Sequence, residues 1–343
     1  MQAGPKTLVA VAALFVSAIL LSVTLPVLAQ APADPRVSDA LDKGEAAIKI
    51  KKWEDALDSF KQAHTLANKT SSVALFGMAR AYHGLGAYKN EAESCQEALK
   101  FVGPNAALEA TLRNQRGMAL FSLAEKNTDK LLKDAEAEFR AALALPGAAA
   151  ITKYNLGVTL LRQERDPEGL ELLKAYVDSG VKTADVDTAK RMIENPRRAR
   201  ENFAPDYSLT TRAGEFLSSK DLVGKTVLLD FWGTWCGPCR AATPELVKLY
   251  KKVAGEQFVM VGISSDAPAD KQTWTDYIDK NKMEWPQNLD TTRAVHKAFQ
   301  VTKFPTYIVI NAEGIVKLRL EGLGSTTVQQ LESEIKKSLK ANR

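Results

Sequence analysis

The sequence predicts a chain of two parts, an all-α N-terminal domain of helical repeats followed by an α/β domain. Residues 37–200 are rich in Ala, Leu, Lys and Glu and show almost none of the period-two alternation of strands. Over residues 201–343, strand-like apolar runs alternate with helical patterns, and the first such pair is Val227–Leu229 followed by Arg240–Val253. A chain of 343 residues is long enough for both domains.

The first residues of the chain predict export. Lys6 supplies a positive charge, Leu8–Leu25 is an uncharged apolar run, and Val27–Ala29 fits the small-x-Ala pattern of a cleavage site. The apolar run also reaches the length that spans a membrane. Residues 1–29 are therefore either a signal peptide or a retained N-terminal anchor, and residues 30–36 form a short leader. Either form would place the protein in the periplasm or another extracytoplasmic compartment.

One apolar spacing recurs through the first domain. Small residues stand where two helices would cross and a large residue follows a turn later, as a closely packed helix–turn–helix pair requires. The four sets are Gly44, Ala56, Phe60 and Ala63; Leu75, Ala79, Tyr82, Cys95 and Ala98; Gly117, Leu120, Ala135, Phe139 and Ala142; and Leu156, Gly157, Leu160, Leu173 and Tyr176. With a period of about 34 residues, the array resembles tetratricopeptide (TPR) repeats.

The resemblance to TPR repeats implies a concave surface that holds a peptide or a partner protein, with a spacer or an oligomerisation module as the alternative. The pattern departs from the repeat at Glu91, which replaces a small residue. Cys95 takes a large apolar position, which predicts a buried core thiol rather than a redox partner for the other cysteines. His64 and His83 have no ligand partners in the pattern, so neither predicts a metal site.

Cys236 and Cys239, separated by Gly237-Pro238, mark the junction between the predicted strand and helix. At a helix start the first sulfur meets unpaired backbone N–H groups and the positive end of the helix dipole, which favours the nucleophilic thiolate. The second sulfur, one turn later, is close enough to close a disulfide. A zinc site would need further ligands, and haem attachment would need His in place of Arg240. A purely structural disulfide is the remaining alternative to redox chemistry.

The segment Asp230–Cys239 resembles the active-site segment of the thioredoxin family nearly residue for residue. Pro244 stands where the active-site helix of that family carries its kinking proline. Val301–Ile310 resembles the family's cis-proline turn and the strand after it, and Gly322 matches the glycine that completes the substrate groove. The matches span residues 204–343 in order and imply a thioredoxin-like α/β domain, with a central mixed sheet flanked by helices.

The distance from Asp266 to Pro305 indicates the branch of the family. It exceeds the thioredoxin pattern by roughly two dozen residues, and the extra stretch carries helical patterns at Lys271–Lys282 and Arg293–Phe299. An inserted helix and short strand here are typical of TlpA/ResA-type thiol-disulfide oxidoreductases and of peroxiredoxins, the redoxin or AhpC/TSA-like proteins. Thr234 lies one residue too close to the first cysteine for a peroxidatic site, so the resemblance is to the TlpA/ResA type.

This resemblance implies a role for each site residue. Cys236 and Cys239 would form the redox-active disulfide, with Cys239 the less exposed of the two and Asp230 the base that takes its proton. The residues expected to shape the site are Trp232, Trp235, Gly237 and Pro238, and those expected to line the substrate groove are Phe304, Pro305, Thr306 and Gly322. The strand Phe258–Ser264 offers no ionisable side chain, so the proton relay is expected to rest on Asp230 alone.

The sequence thus favours an exported dithiol reductase of protein disulfides whose repeats recruit a partner. A disulfide oxidase or isomerase on the same site, or a repeat scaffold with a secondary redox domain, is the alternative. We expect no cofactor and no metal. The expected partners are protein thiols and disulfides, a membrane electron donor if the protein reduces, and an unidentified peptide or protein on the repeats. The net charge of +5 is spread along the chain, which does not predict nucleic-acid binding.

Overall fold

The computed structural model describes residues 34–125, 127 and 129–341. The predicted signal peptide or anchor at residues 1–29 lies outside these residues. The chain divides into two compact units, with the division between Arg200 and Glu201. Among the described residues, no helix has both the length and the apolar character needed to cross a membrane.

The first unit is entirely helical where the structure describes it. Its helices are α1 (Pro35–Lys49), α2 (Trp53–Leu66), α3 (Ser72–Gly84), α4 (Tyr88–Leu99), α5 (Ala106–Leu123), α6 (Lys130–Leu143), α7 (Ile151–Arg162), α8 (Asp166–Asp178) and α9 (Asp185–Glu194), followed by a 3₁₀ turn at Pro196–Ala199. The helix α1 begins inside the predicted leader, because the Asp34 carboxylate caps its first turn by accepting from Arg36 N at 2.9 Å. Successive helices pack against each other as antiparallel neighbours do.

The predicted pairing of small and large residues holds the helices close together. A Cβ atom added to Gly44 of α1 would lie 2.6 Å from the Phe60 ring of α2, and one added to Gly77 of α3 would meet the same ring. Gly117 of α5 bears the same relation to Phe139 of α6, at 2.6 Å. Since such distances are below van der Waals contact, only glycine permits these crossings. The helical repeats predicted from the sequence are confirmed.

The departure at Glu91 is accommodated by a buried polar cluster. Glu91 of α4 is completely buried, and its carboxylate lies 3.0 Å from His83 Nδ1 and also accepts from Gln115 Nε2. Desolvation raises the pKa of Glu91, and the hydrogen bond to Glu91 raises the pKa of His83. Cys95, one turn after Glu91, is a free thiol with no exposed surface, as predicted.

The second unit is built on a five-stranded mixed sheet. Its strands are β3 (Thr226–Trp232), β4 (Phe258–Ser264), β5 (Gln287–Leu289), β6 (Thr306–Ile310) and β7 (Val316–Glu321), and a separate hairpin pairs β1 (Ser208–Thr210) with β2 (Phe216–Ser218). The sheet order is β5-β4-β3-β6-β7. The pairs β3–β4 and β4–β5 are parallel, whereas β3–β6 and β6–β7 are antiparallel. The completely buried β3 is therefore the centre of the sheet.

Helices cover both faces of this sheet. They are α10 (Gly237–Val253), α11 (Lys271–Lys280), α12 (Ala294–Ala298) and α13 (Thr327–Ala341). On one face, Leu228 and Trp232 of β3 belong to an apolar cluster with α10, α11 and α13. On the other face, Leu229 and Phe231 pack with α12 and β1. The predicted fold class, helical repeats followed by a thioredoxin-like α/β domain, is confirmed.

The stretch before Pro305 contains the predicted insertion. The helix predicted over Lys271–Lys282 ends two residues earlier as α11, and the one predicted over Arg293–Phe299 is the shorter α12. The inserted strand is β5, which adds the outermost parallel strand to the sheet.

Candidate active site

The two cysteines lie at the end of the central strand, where the redox helix begins. The strand β3 ends at Trp232, and α10 begins at Gly237 with Cys236 as its N-cap. The structure contains the Cys236–Cys239 disulfide, with the Cα atoms 5.2 Å apart. Cys239 N donates to Cys236 Sγ at 3.2 Å, so the first sulfur takes the place of a capping oxygen. The N-terminal N–H groups and the dipole of α10 therefore act directly on this sulfur.

Burial does not distinguish the two sulfurs in the disulfide form. Cys236 is 4% exposed and Cys239 is 3% exposed, so the two residues differ little in burial. Their neighbours Gly237 and Pro238 are exposed, as is Trp235. The capping position of Cys236, rather than its exposure, is what separates the two residues chemically.

Asp230 lies two residues before Trp232 on the same face of β3 as the cluster that contains Cys239. It is 2% exposed, and desolvation raises the pKa of its carboxyl group to about 7. Its Oδ1 atom has no hydrogen-bond partner among the described residues. A carboxyl group with this pKa can accept and return a proton near neutral pH.

The residues predicted to form the substrate groove come together beside Trp235. The Phe304–Pro305 peptide bond is cis, and Gly322 N donates to the Pro305 carbonyl oxygen at 2.7 Å. The φ of Gly322 is +80°, a conformation that glycine adopts without strain. Thr306 is buried, and its hydroxyl donates to the carbonyl of the residue three positions earlier. The Phe304 ring meets the Trp235 ring edge-on, with centroids 5.2 Å apart.

Trp232 is buried beneath the cysteines and anchored by a residue that the sequence did not single out. Its indole Nε1 donates to Gln287 Oε1 of β5 at 3.2 Å. Gln287 is 3% exposed, and it reaches Trp232 from two strands away. The available signal was a glutamine directly after Trp285-Pro286, but its neighbours depend on the order of the strands in the sheet.

Asp266 is a second residue that the sequence analysis did not assign to the site. Its carboxylate accepts from the backbone N–H of Thr234 at 3.0 Å, and also from the hydroxyls of Thr234 and Ser264. Asp266 lies two residues beyond the end of β4. The strand β4 itself contains no ionisable side chain, as the sequence shows. The available signal was an aspartate just after a buried strand, because the carboxyl ends of parallel strands meet at one edge.

Two further residues that the sequence analysis did not assign, Asp290 and His296, form a pair that packs against the groove. His296 Nδ1 is 2.8 Å from Asp290 Oδ2, and both residues are buried. Desolvation opposes ionisation of Asp290, but hydrogen bonds from the side chain and backbone of His296 outweigh it and lower the pKa of that carboxyl group. The imidazole packs against Phe304 with ring centroids 5.6 Å apart, so the pair supports the groove. Within the described residues, no group of three or more His, Cys, Asp or Glu is arranged to hold a metal ion.

Comparison with known proteins places the second unit among redox proteins. Residues 201–319 match the AhpC/TSA family. The chain is 32% identical over 133 residues to thioredoxin-like protein YneN of Bacillus subtilis (strain 168), covering 38% of this chain and 76% of that protein. It is 30% identical over 134 residues to thiol-disulfide oxidoreductase ResA of Bacillus thuringiensis (strain Al Hakam), covering 39% of this chain and 75% of that protein.

Solved structures of similar proteins carry related descriptions. A crystal structure of a thiol:disulfide interchange protein of the thioredoxin family from Chlorobium tepidum TLS is 29% identical, with a TM-score of 0.36. The match covers 41% of this chain and 97% of that one.

Proposed function

The chain belongs to the thioredoxin-like thiol-disulfide oxidoreductases of the ResA type, and from this membership we propose that it reduces disulfides in target proteins through Cys236 and Cys239. The observation that carries the proposal is the placement of Asp230. A buried carboxyl group with a pKa of about 7 lies on the face of β3 that packs against the redox helix. That group supplies the base that the second step of disulfide exchange needs.

In the first step, the Cys236 thiolate attacks a sulfur of the target disulfide. The N-cap position at the start of α10 supports this assignment, because backbone N–H groups and the helix dipole favour a thiolate there. A Cys236–target disulfide forms, and the second target sulfur leaves as a thiolate that takes a proton from solvent.

In the second step, Cys239 resolves the mixed disulfide. The Asp230 carboxylate accepts the Cys239 thiol proton, and the resulting thiolate attacks Cys236 Sγ. The Cys236–Cys239 bond forms, the bond to the target breaks, and the reduced target leaves. Two electrons have then passed from the cysteine pair to the target.

The groove residues would hold the target beside the sulfurs. Phe304, Pro305 and Thr306 would present their backbone to an extended target segment, with Gly322 beside it, joined to Pro305 by a hydrogen bond. Exposed Trp235, together with exposed Gly237 and Pro238, would form the contact surface around Cys236, and buried Trp232 would support it from below.

The residues between the cysteines support reduction as the direction of electron flow. The Gly-Pro pair resembles that of reducing thioredoxins, so we assign a potential near roughly −270 mV rather than the roughly −120 mV of a strong oxidant. A reductase in an oxidising compartment needs a membrane electron donor to regenerate its dithiol.

Export and partner recruitment complete the proposal. The apolar run Leu8–Leu25 would direct the chain out of the cytoplasm, as a cleaved signal or as an anchor. The helical repeats α1–α8 would hold a peptide or protein partner, in the manner of TPR arrays. The export assignment rests on the sequence pattern alone. The assignment of a partner rests on the sequence pattern and on the presence of successive helix pairs.

Trapping of the target tests the proposal. Full-length Cys239→Ser protein, expressed in the exporting cell, is expected to accumulate a mixed disulfide between Cys236 and its target, seen as a band that thiol reductants remove. The matched control is Cys236→Ser with Cys239→Ser, which should trap nothing. A second control, Cys95→Ser with Cys239→Ser, should trap as well as Cys239→Ser because Cys95 is buried. If Cys239→Ser forms no mixed disulfide, the proposed function is wrong.

A further inference from the structure

A row of four residues, each paired with the next across neighbouring strands, crosses the sheet beneath the redox helix. Gln287 of β5 pairs with Gly262 of β4. Gly262 pairs with Asp230 of β3, which pairs in turn with Tyr307 of β6. Residues opposite each other on paired strands project to the same face of the sheet. That face is the one covered by α10, because Tyr307 belongs to the same cluster as Cys239.

The glycine in this row leaves room for the glutamine side chain on the strand between Gln287 and Asp230. A Cβ atom on Gly262 would lie 2.9 Å from Gln287 Nε2 and closer still to the rest of the amide, so the amide occupies the space above the glycine. Trp232 Nε1 donates to Gln287 Oε1, which fixes the orientation of the amide. The Nε2 donor of Gln287 is buried and has no hydrogen-bond partner among the described residues.

Tyr307 approaches the same carboxyl group from the opposite side. It is 0% exposed, and its hydroxyl also has no partner in the described part of the chain. Desolvation raises the pKa of Tyr307 well above its usual range, and the negative charge of Asp230 raises it further. The second effect requires that the phenol lie within electrostatic reach of Asp230.

Three buried polar atoms without partners therefore belong to side chains of this one row: the acceptor Asp230 Oδ1 on the central strand, and the donors Gln287 Nε2 and Tyr307 Oη on strands to either side of it. Buried polar groups in native proteins are nearly always paired, often through an internal water with about two to four partners. Resting on the function proposed above, we propose that Gln287 and Tyr307 are positioning residues for Asp230. Through one enclosed water they donate to its carboxylate and set the pH at which it accepts the proton of Cys239.

The step that they tune is a proton transfer followed by disulfide exchange. The Cys239 thiol loses its proton to the Asp230 carboxylate. The Cys239 thiolate then forms the bond to Cys236, and the target sulfur leaves with the electron pair of the bond that breaks. No oxidant or reductant beyond the target disulfide and the cysteine pair takes part.

Hydrogen bonds to the ionised carboxylate favour that form and lower its pKa, in opposition to desolvation. Donation through the water would therefore offset part of the rise in the pKa of Asp230 that burial causes. The titratable groups that face it are Cys239 of α10 and Tyr307 of β6, whereas the neighbouring strand contributes Gly262 and the neutral amide of Gln287. Helix α11 contributes Trp274, Ile278 and the phenol of Tyr277, which donates to the Thr243 hydroxyl, and α13 contributes Leu331 and Ile335.

The carboxyl titration of Asp230 in the oxidised full-length protein tests the inference. With ¹³C-labelled aspartate, the Asp230 carboxyl signal, identified by its loss in Asp230→Asn, is followed by NMR against pH. Tyr307→Phe and Gln287→Met each remove one donor and keep the volume of the side chain. Each is expected to move the titration midpoint upward, by roughly half to one pH unit.

The matched control is Tyr207→Phe, which removes a buried phenol on the opposite face of the sheet and should leave the midpoint unchanged. Unchanged midpoints in both Tyr307→Phe and Gln287→Met would overturn the inference. This titration needs no substrate, so it decides the inference even if the chain fails to reduce proteins. In the reductase assay, both variants should shift the rising limb of the pH–rate profile upward by the same amount, which a purely structural role would not do.

Discussion

At the scale of single residues, the chemistry of the site depends on the burial of Asp230. The sequence predicted this residue and both cysteines, because they lie within one continuous motif that ends at Cys239. It did not predict Asp266 or Gln287 at the site, nor the pairing of Asp290 with its histidine. Their side chains reach the motif from other strands and loops, and a single sequence does not state which strands are neighbours.

Asp230→Asn is expected to change the pH dependence of stability. Burial raises the pKa of Asp230 to about 7. Its contribution to stability is therefore fully present below its ordinary pKa of about 3.9 and is lost as the pH rises through 7. Above pH 8 the variant should exceed the wild type in the free energy of unfolding by about 4 kcal/mol more than it does at pH 4. Urea denaturation of both oxidised proteins measures this, and equal differences at the two pH values would contradict it.

Substitution of Asp266 is expected to affect the geometry of the site more than its proton chemistry. Asp266→Asn keeps the size of the side chain but weakens the hydrogen bond from the Thr234 backbone that fixes the loop before Cys236. The kcat/KM for a protein disulfide should fall about tenfold, the effect of losing about 1.4 kcal/mol of positioning. The midpoint of the pH–rate profile should not move. A shifted midpoint with unchanged kcat/KM would assign Asp266 to the proton relay instead.

At the scale of elements, the helices of the repeats are held by glycine–aromatic contacts that the sequence spacing predicted. The spacing placed Gly117 and Phe139 in the same repeat set, because a repeat places the same residue types at the same helix crossing each time. It could not predict how the second repeat tolerates Glu91. The partners of that carboxylate, His83 and Gln115, come from the helices on either side, α3 and α5.

Gly117→Ala tests the close crossing of α5 and α6. The added methyl group would collide with the Phe139 ring, so we expect a loss of about 1–3 kcal/mol in the free energy of unfolding, despite the better helix propensity of alanine. The matched background is Phe139→Leu, in which the smaller side chain leaves room for the methyl group. There Gly117→Ala should cost less, and the double-mutant cycle measures the difference. An identical cost in both backgrounds would mean that the two residues are not coupled.

At the scale of the whole molecule, the fold class followed from the repeated spacing of the first unit and from the resemblance of the second unit to thioredoxins. The boundaries of individual elements did not, as at α10, where the helix begins at Gly237 rather than at Arg240. Capping by a cysteine sulfur and the proline at its first turn extend the helix toward the motif. The two apolar clusters that flank the sheet contain only residues of the second unit.

Residues 201–343 expressed alone are therefore expected to fold and to keep the reduction potential of the full chain, because both cores are complete within them.

Without the repeats, trapping of the target by the Cys239→Ser variant should weaken, while reduction of a small disulfide should not. Equal trapping with and without the repeats would contradict the proposed recruitment of a partner. A full-length chain with both catalytic cysteines replaced by serine controls for trapping through other residues.

The reduction potential of the Cys236–Cys239 pair is the most direct test of the proposed reductase. The full-length protein is equilibrated with mixtures of reduced and oxidised dithiothreitol or glutathione, and the thiol fraction is counted by alkylation. A reductase with a Gly-Pro pair between its cysteines should have a potential near roughly −270 mV. A value well above the glutathione range, toward the roughly −120 mV of a strong oxidant, would contradict reduction and assign the same site to disulfide formation.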